Sequence, residues 1–249
     1  MSNSPPPPLT RPADLSHQLA SAGWGVLDAA GLAACCEQAQ GLPWPRWAAH
    51  WDHLPPDPHL RDGGRYRRRR HGCFVVEGRQ VTLAPHRAHW QPVEYNALHG
   101  GIERWFEPLP PALADNPAWH TLLRGLCDVA DGLRAAPRWF VEAHLFRIDT
   151  EGGIGRPTPE GAHRDGVDLV AVVLLARHRV KGGETRVFDA RGPHGMRFTL
   201  GEPGSALLLD DERVIHETTP IQPLQADAPA WRDTLVVTCR RGGFQGPQA

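Results

Sequence analysis

The sequence predicts a mainly β fold with flanking helices, its strands closed as a double-sheet jelly roll. Three observations carry this. The second half breaks into short runs of strand length, rich in β-branched and aliphatic residues. Gly182-Gly183, Gly192-Pro193 and Gly201 separate those runs and supply the turns. One stretch in the first half, residues 112–134, instead spaces its apolar residues as a helix does. Two sheets closed on one another also manage their exposed edges.

In chain order, residues 1–12 read as a flexible lead, with prolines 5–8 favouring an extended conformation. Residues 13–249 read as a single domain, with a helical and irregular N-terminal part and a jelly-roll core at about 140–241. Asp14 is placed to cap a first helix bearing Leu15 and Leu19 on one face. Gly23-Trp24-Gly25 interrupts, and a second helix covers 28–40 until Gly41 and Pro43 stop it. Residues 42–71 are irregular and hold Trp44, Trp47, Trp51 and four arginines at 67–70. With Asp57, Asp62 and Glu77 nearby, the arginines read as solvated or ion-paired surface. Contact with an anionic substrate group is the alternative, and nucleic acid the weakest reading. Residues 73–76 and 80–83 form a hairpin around Gly78. In 112–134, Leu113, Trp119, Leu122, Leu123, Leu126, Val129 and Leu133 make one buried stripe, so this helix braces the β region from outside. Strands follow at 140–148, 169–175, 185–188, 196–200, 205–209, 214–218 and 234–238.

The 249 residues suffice for a sizeable core. Lys plus Arg is 27 and Asp plus Glu is 28, so the net charge of -1 calls for no polyanionic partner; no nucleic acid is expected. The five cysteines (35, 36, 73, 127 and 239) form neither a CxxC pair nor a disulfide framework. The N-terminus lacks the basic start and apolar core of a signal peptide. No apolar run approaches the roughly 20 residues that span a bilayer. The expectation is a soluble, cytoplasmic protein without a membrane partner. Composition leaves the oligomeric state open, a homodimer included.

The densest chemistry is His163-Arg164-Asp165, with His216 later. Two residues apart on an extended segment, His163 and Asp165 face the same way. A jelly roll brings distant strands, and with them His216, into one cavity. Two imidazoles and one carboxylate suit Fe(II) and leave positions open, and the same atoms also suit zinc. Among 14 histidines, His144 reads as packed or hydrogen-bonded and His178 as loop surface. His86, His89 and His99 lack an acid at metal spacing. Arg232 stands at a strand mouth, where its fork could hold a carboxylate; a structural ion pair is the alternative. Thr234 shares its parity and adds a hydroxyl. The distal carboxylate of 2-oxoglutarate, chelated to the iron through its 2-oxo acid end, suits that pair.

Five segments carry a resemblance: QPVEYNALHGGIERWFEPL at 91–109, PEGAHRDGVD at 159–168, KGGETRVFD at 181–189, LLLDDERVIHETTPI at 207–221 and RDTLVVTC at 232–239. Over roughly residues 65–241 the chain resembles the 2-oxoglutarate/Fe(II) dioxygenase superfamily. More narrowly, it is similar to the bacterial family that includes free L-isoleucine hydroxylases and related amino-acid hydroxylases. The resemblance implies a double-stranded β-helix of the cupin-like, jelly-roll kind. It implies Fe(II) on His163, Asp165 and His216, 2-oxoglutarate on Arg232 and Thr234, and molecular oxygen as second co-substrate. The implied reaction turns 2-oxoglutarate into succinate and carbon dioxide while an unactivated C–H bond is hydroxylated. A free, aliphatic L-amino acid is the leading substrate, and a peptide-derived or natural-product intermediate the alternative. A non-catalytic metal-binding jelly roll is the competing class. Arg69, Gln91, Tyr95, Asn96, Arg104 and Glu142 are the substrate-contact candidates. Glu94 and Arg147 are further charges; Trp90 and Phe106 could make an apolar wall, with core packing the stronger reading.

Overall fold

The computed structural model describes residues 5–38, 40–226 and 228–247. Residues 1–4 of the expected flexible lead lie outside the described residues. From Pro5 onward the lead is tied down. The Pro5 carbonyl accepts from Thr199 N at 3.2 Å, and Thr10 N donates to Val26 O at 2.7 Å. A 3-10 turn, Pro12–Asp14, opens into α1 (Leu15–Ala22). Asp14 does not cap that helix: its carboxylate takes Arg11 Nε at 2.6 Å instead. Gly23, at φ 79°, ends α1 in the left-handed region that glycine adopts freely.

The expected interruption is a strand, β1 (Trp24–Leu27). Then comes α2 (Ala29–Cys35), shorter than expected, with the Asp28 carboxylate accepting from Gly31 N at 2.7 Å. The tryptophan-rich segment holds α3 (Trp44–Ala48) and a 3-10 turn, Ala49–His53. Trp51 Nε1 donates to the carbonyls of Phe146 and Thr234, at 3.1 and 3.2 Å, and pins this segment onto two strands.

Next come β2 (Arg67–Glu77) and β3 (Gln80–Leu83), the expected hairpin around Gly78 extended to include the arginines. A short α4 (Pro111–Ala114) precedes α5 (Pro117–Leu133). Asn116 caps α5, its side chain accepting from Ala118 N and Trp119 N, with Pro117 first in the helix. The rest is strand: β4 (Trp139–Asp149), β5 (Leu169–His178), β6 (Val180–Gly182), β7 (Thr185–Asp189), β8 (Gly195–Phe198), β9 (Ala206–Asp210), β10 (Val214–Thr218), β11 (Ile221–Pro223) and β12 (Trp231–Arg240).

Seven strands form one sheet in the order β1-β9-β5-β12-β4-β2-β3, antiparallel throughout. Three make a second, β10-β7-β8, and β11 pairs with β6. The fold is thus mixed, a large antiparallel sheet with flanking helices, and no closed barrel forms among the described residues. The sheet is wider than the expected core at 140–241, because β1, β2 and β3 come from the N-terminal part.

Alternation along each strand gives the large sheet two unlike faces. The outer face carries Val141, Ala143 and Leu145 from β4 and Leu235, Val237 and Cys239 from β12, packed with Trp119, Leu122, Leu123 and Leu126 of α5. Each such buried aliphatic side chain is worth roughly 1.5–3 kcal/mol. On the inner face, Val26, Val170, Leu174, Leu207 and Leu209 pack on Val187, Phe198 and Val214 near the small sheet. Elsewhere that face is polar. Glu142 and His144 of β4, Arg232 and Thr234 of β12, and Arg67 and Arg69 of β2 line a cavity. The arginine run therefore splits by parity. Arg68 and Arg70 face outward to Asp149 and Glu107, as surface pairs do, while Arg67 and Arg69 are 5% and 3% exposed and face the cavity. Among the described residues, no helix is long and apolar enough to cross a membrane.

Candidate active site

His163 and Asp165 lie on a loop, not a strand, and a single antiparallel bridge joins His163 to His216 of β10. Each donates its backbone N–H to the other's carbonyl, at 3.0 and 2.9 Å. His163 Nδ1–H donates to Gly161 O at 2.9 Å, which leaves the Nε2 lone pair free to bind a metal. That Nε2 is 3.9 Å from Asp165 Oδ1, and His216 Nε2 is 3.8 Å from Asp165 Oδ2. These separations are too long for hydrogen bonds, and the three ligand atoms lie within 4.8 Å of one another. Such an N,N,O set suits Fe(II). Burial and then the neighbouring His163 push His216 down to about 3, so it stays neutral. Burial opposes the charging of His163, but Asp165 and Glu160 outweigh it and hold its pKa up.

Asp211 fixes the metal loop, and sequence reasoning missed it. Its carboxylate accepts from the backbone N–H groups of Asp165, Gly166 and Val167, with the Gly166 bond at 2.7 Å. Burial and then the Asp165 charge raise its pKa to about 7. The pair Asp210-Asp211 was its only trace in the sequence.

Arg232 is 3% exposed, and its Nε and Nη2 find no hydrogen-bond partner among the described residues. Burial, then the Arg177 charge, lower its pKa to about 9. A Cβ at Gly183 would sit 2.8 Å from Arg177 Nη1 and 3.7 Å from Arg232 Cδ, so the glycine leaves room for both guanidiniums. Thr234 lines the same cavity. An unpaired buried guanidinium needs an anion, and a carboxylate matches its fork.

Residues 48–238 match the family model described as 2OG-Fe dioxygenase. The chain belongs to that family. The dioxygenase uses Fe(II) as its metal and 2-oxoglutarate as co-substrate, in keeping with the two-histidine, one-carboxylate donor set. It is 24% identical over 174 residues to the 3(1)-hydroxy-L-isoleucine 4-dioxygenase of Pantoea ananatis (strain AJ13355), covering 68% of this chain and 70% of that one. The crystal structure of a bsmA homolog from Methylobium petroleophilum PM1 is 53% identical and aligns with a TM-score of 0.90, over 96% of this chain and 97% of that chain. IDO from Bacillus thuringiensis shares the fold, with a TM-score of 0.71 at 16% identity, over 94% of this chain and 100% of that chain.

The rest of the dioxygenase cavity gathers most of the substrate-contact candidates. Arg69, Gln91, Asn96, Arg104 and Glu142 all line it. Gln91 Nε2 donates to Asp165 Oδ1 at 3.0 Å, and its Oε1 accepts from Arg104 Nη2 at 2.7 Å and Asn96 Nδ2 at 3.1 Å. Tyr95 is not in the cavity wall: it packs against Gly166, beneath the Arg164 guanidinium. Arg147 also lies elsewhere, paired with Asp233 and Asp52, and Glu94 is exposed. Phe106 is not among the cavity-lining residues; it is buried and packs, its ring 4.0 Å from the Arg69 guanidinium.

His89, expected to lack an acid, finds one across the fold. Glu142 Oε2 accepts from His89 Nδ1 and His71 Nε2, both at 2.7 Å, and His144 Nε2 is 3.9 Å away. These four ligand atoms also lie within 4.8 Å of one another. Arg69 Nη2, however, donates to His144 Nδ1 at 2.9 Å, so a neutral His144 carries its proton on Nε2 and offers no lone pair there. Together with the two short bonds, this makes the cluster a hydrogen-bonded carboxylate cage. Burial pushes His71, His89 (to about 3) and His144 down, which favours the neutral form of each. Burial alone would raise Glu142, but the facing His89 and His71 donors hold it well below the usual carboxylate range.

Proposed function

We propose that this dioxygenase hydroxylates an unactivated C–H bond of a free, aliphatic L-amino acid in the cytoplasm. In this reading Fe(II) sits on His163, Asp165 and His216, and the antiparallel sheets are a double-stranded β-helix. Arg232, helped by Thr234, takes the distal carboxylate of 2-oxoglutarate. The bound metal supplies oxygen activation coupled to decarboxylation of 2-oxoglutarate. The protein's own residues orient and select. The Gly161 carbonyl fixes the His163 tautomer, and Gln91 occupies one oxygen of Asp165. Ile148, Val167, Val172 and Val236 give the cavity apolar wall against which an aliphatic side chain can lie.

The observation that carries this reading is the shared cavity, which runs from the triad to a buried wall of Arg67, Arg69 and Arg104. Among the described residues, only Arg67 of these three has an ion-pair partner, Asp57 at 2.7 Å. The surplus positive charge suits a substrate carboxylate. The relationship to an enzyme named for a hydroxy-isoleucine substrate supports the amino-acid class. The test is succinate release by the purified protein with Fe(II), 2-oxoglutarate and oxygen against a panel of free L-amino acids. Stimulation by aliphatic members supports the proposal. Stimulation only by peptides or carrier-tethered acids would replace it with the natural-product reading.

A further inference from the structure

We infer that Glu160 and Arg104 form a receptor for a zwitterion, Glu160 taking the ammonium group of the substrate and Arg104 its carboxylate. The inference rests on the proposed amino-acid substrate and assigns it two contacts.

Both residues line the cavity. Glu160 Oε1 is 3.6 Å from His163 Nε2, so its carboxylate stands beside the metal site, and its side chain is 12% exposed. Its Oε2 is buried and has no hydrogen-bond partner among the described residues. Arg104 is 2% exposed and gives Nη2 to Gln91, while its Nε is likewise buried and unpartnered. Burying a charged group without a partner is costly, so each orphaned atom calls for a ligand of opposite sign.

The two do not satisfy each other. They form no ion pair among the described residues, although the Glu160 charge is felt at Arg104, where it opposes the downward push of burial and of Arg67 on the guanidinium. Each is anchored at its backbone, and the Arg104 guanidinium is also held by Gln91. Arg104 exchanges both backbone hydrogen bonds with His89, at 2.9 and 3.0 Å. Glu160 lies inside the turn closed by Gly161 N to Thr158 O at 3.0 Å, and Thr158 is itself bonded to Thr218. Two buried opposite charges, held apart in one cavity, match a ligand that carries both charges close together. A simple acid would satisfy Arg104 alone, and an amine Glu160 alone.

Besides the metal ligand Asp165, the other acid lining the cavity is Glu142, but His71 and His89 already occupy its Oε2. The competing role for Glu160 is that of an extra metal ligand, and the experiment separates the two. The holoprotein is loaded with redox-silent Mn(II) and 2-oxoglutarate without oxygen. Calorimetric titration then compares free aliphatic L-amino acids with analogues lacking the amino group or lacking the carboxylate. Wild type binds the amino acid more tightly than either analogue. Glu160→Gln weakens amino-acid binding roughly 10–100-fold, leaves the amine-free analogue unchanged and keeps Mn(II) affinity. Arg104→Gln weakens the amino acid but not the carboxylate-free analogue. Unchanged amino-acid binding by Glu160→Gln overturns this inference alone, as does a matching loss of Mn(II) affinity. If wild type binds no amino acid, while the same protein binds Mn(II) and 2-oxoglutarate, both the receptor and the proposed substrate class fall.

Discussion

Arg232 and Arg177 stand directly opposite each other in the register of β12 and β5. Like charges at that position repel. Arg177 gives Nη2 to the Gly182 carbonyl at 2.7 Å, and Arg232 keeps two nitrogens unpaired. The arrangement is stabilised when a carboxylate enters the cavity between the strand mouth and the metal loop.

Replacing Arg232 with Ala therefore weakens 2-oxoglutarate binding by about 2–4 kcal/mol, roughly 30- to 1000-fold, with Mn(II) affinity retained. Calorimetry without oxygen measures both. Equal 2-oxoglutarate affinity in the variant would remove Arg232 from the co-substrate site.

The two histidine clusters make opposite predictions about metal. In the triad His163 keeps its Nε2 lone pair free and Gln91 engages only Oδ1 of Asp165, whereas the proton on His144 and the hydrogen bonds to Glu142 fill the other cluster. Metal analysis after dialysis against Fe(II) or Zn(II) is expected to give one ion per chain. His216→Ala is expected to abolish it and Glu142→Gln to leave it. Two ions per chain would show that the cage also takes a metal.

Asp211 acts through the loop it holds. Asp211→Ala removes the acceptor for three backbone N–H groups around Asp165. Loss of such support typically costs about 10–100-fold in metal affinity, and that loss is expected here in Mn(II) titrations of folded protein. Wild-type affinity would mean that the loop holds its shape without Asp211.

Much of this architecture was legible in the sequence because it depends on local patterns. The apolar spacing of α5, the turn at Gly78 and the runs that became β5, β7 and β12 all declare themselves over a few residues. The triad was readable because His163 and Asp165 are near neighbours in unusual company. What escaped depends on partners far along the chain. β1 was hidden because Gly-Trp-Gly reads as a break until β9 pairs with it. The arginines of β2 look like surface until Arg67 and Arg69 are seen turned inward against β4. His71 and His89 acquire an acid only when β4 brings Glu142 between them. Glu160, three residues before His163, was overlooked because nothing local shows that its Oε2 lacks a partner.

The carboxylate cage also sets a pH dependence. The folded-state pKa of His89 is about 3, and those of His71 and His144 are also lowered, against about 6.5 for an unfolded histidine. Between those values the unfolded chain binds more protons, so stability falls as pH drops below about 6.5. For His89 the contribution is up to about 1.4 kcal/mol per pH unit, and His71 and His144 act in the same direction. Glu142, held below its unfolded value, adds a loss of the same sign as pH falls below about 4.3. Thermal unfolding of metal-free protein is expected to show a falling midpoint from pH 6.5 to 5, shallower in His89→Gln. A flat midpoint over that range would mean that the cage titrates as it does in water.

The most direct test of the central claim is turnover under isotopically heavy dioxygen, with Fe(II), 2-oxoglutarate and a panel of free L-amino acids, read by mass spectrometry. The account predicts one heavy oxygen in succinate and one in a hydroxylated aliphatic amino acid, in equal amounts, with both products lost in His216→Ala. Succinate formed without any oxygenated amino acid, at a rate no amino acid changes, would contradict it.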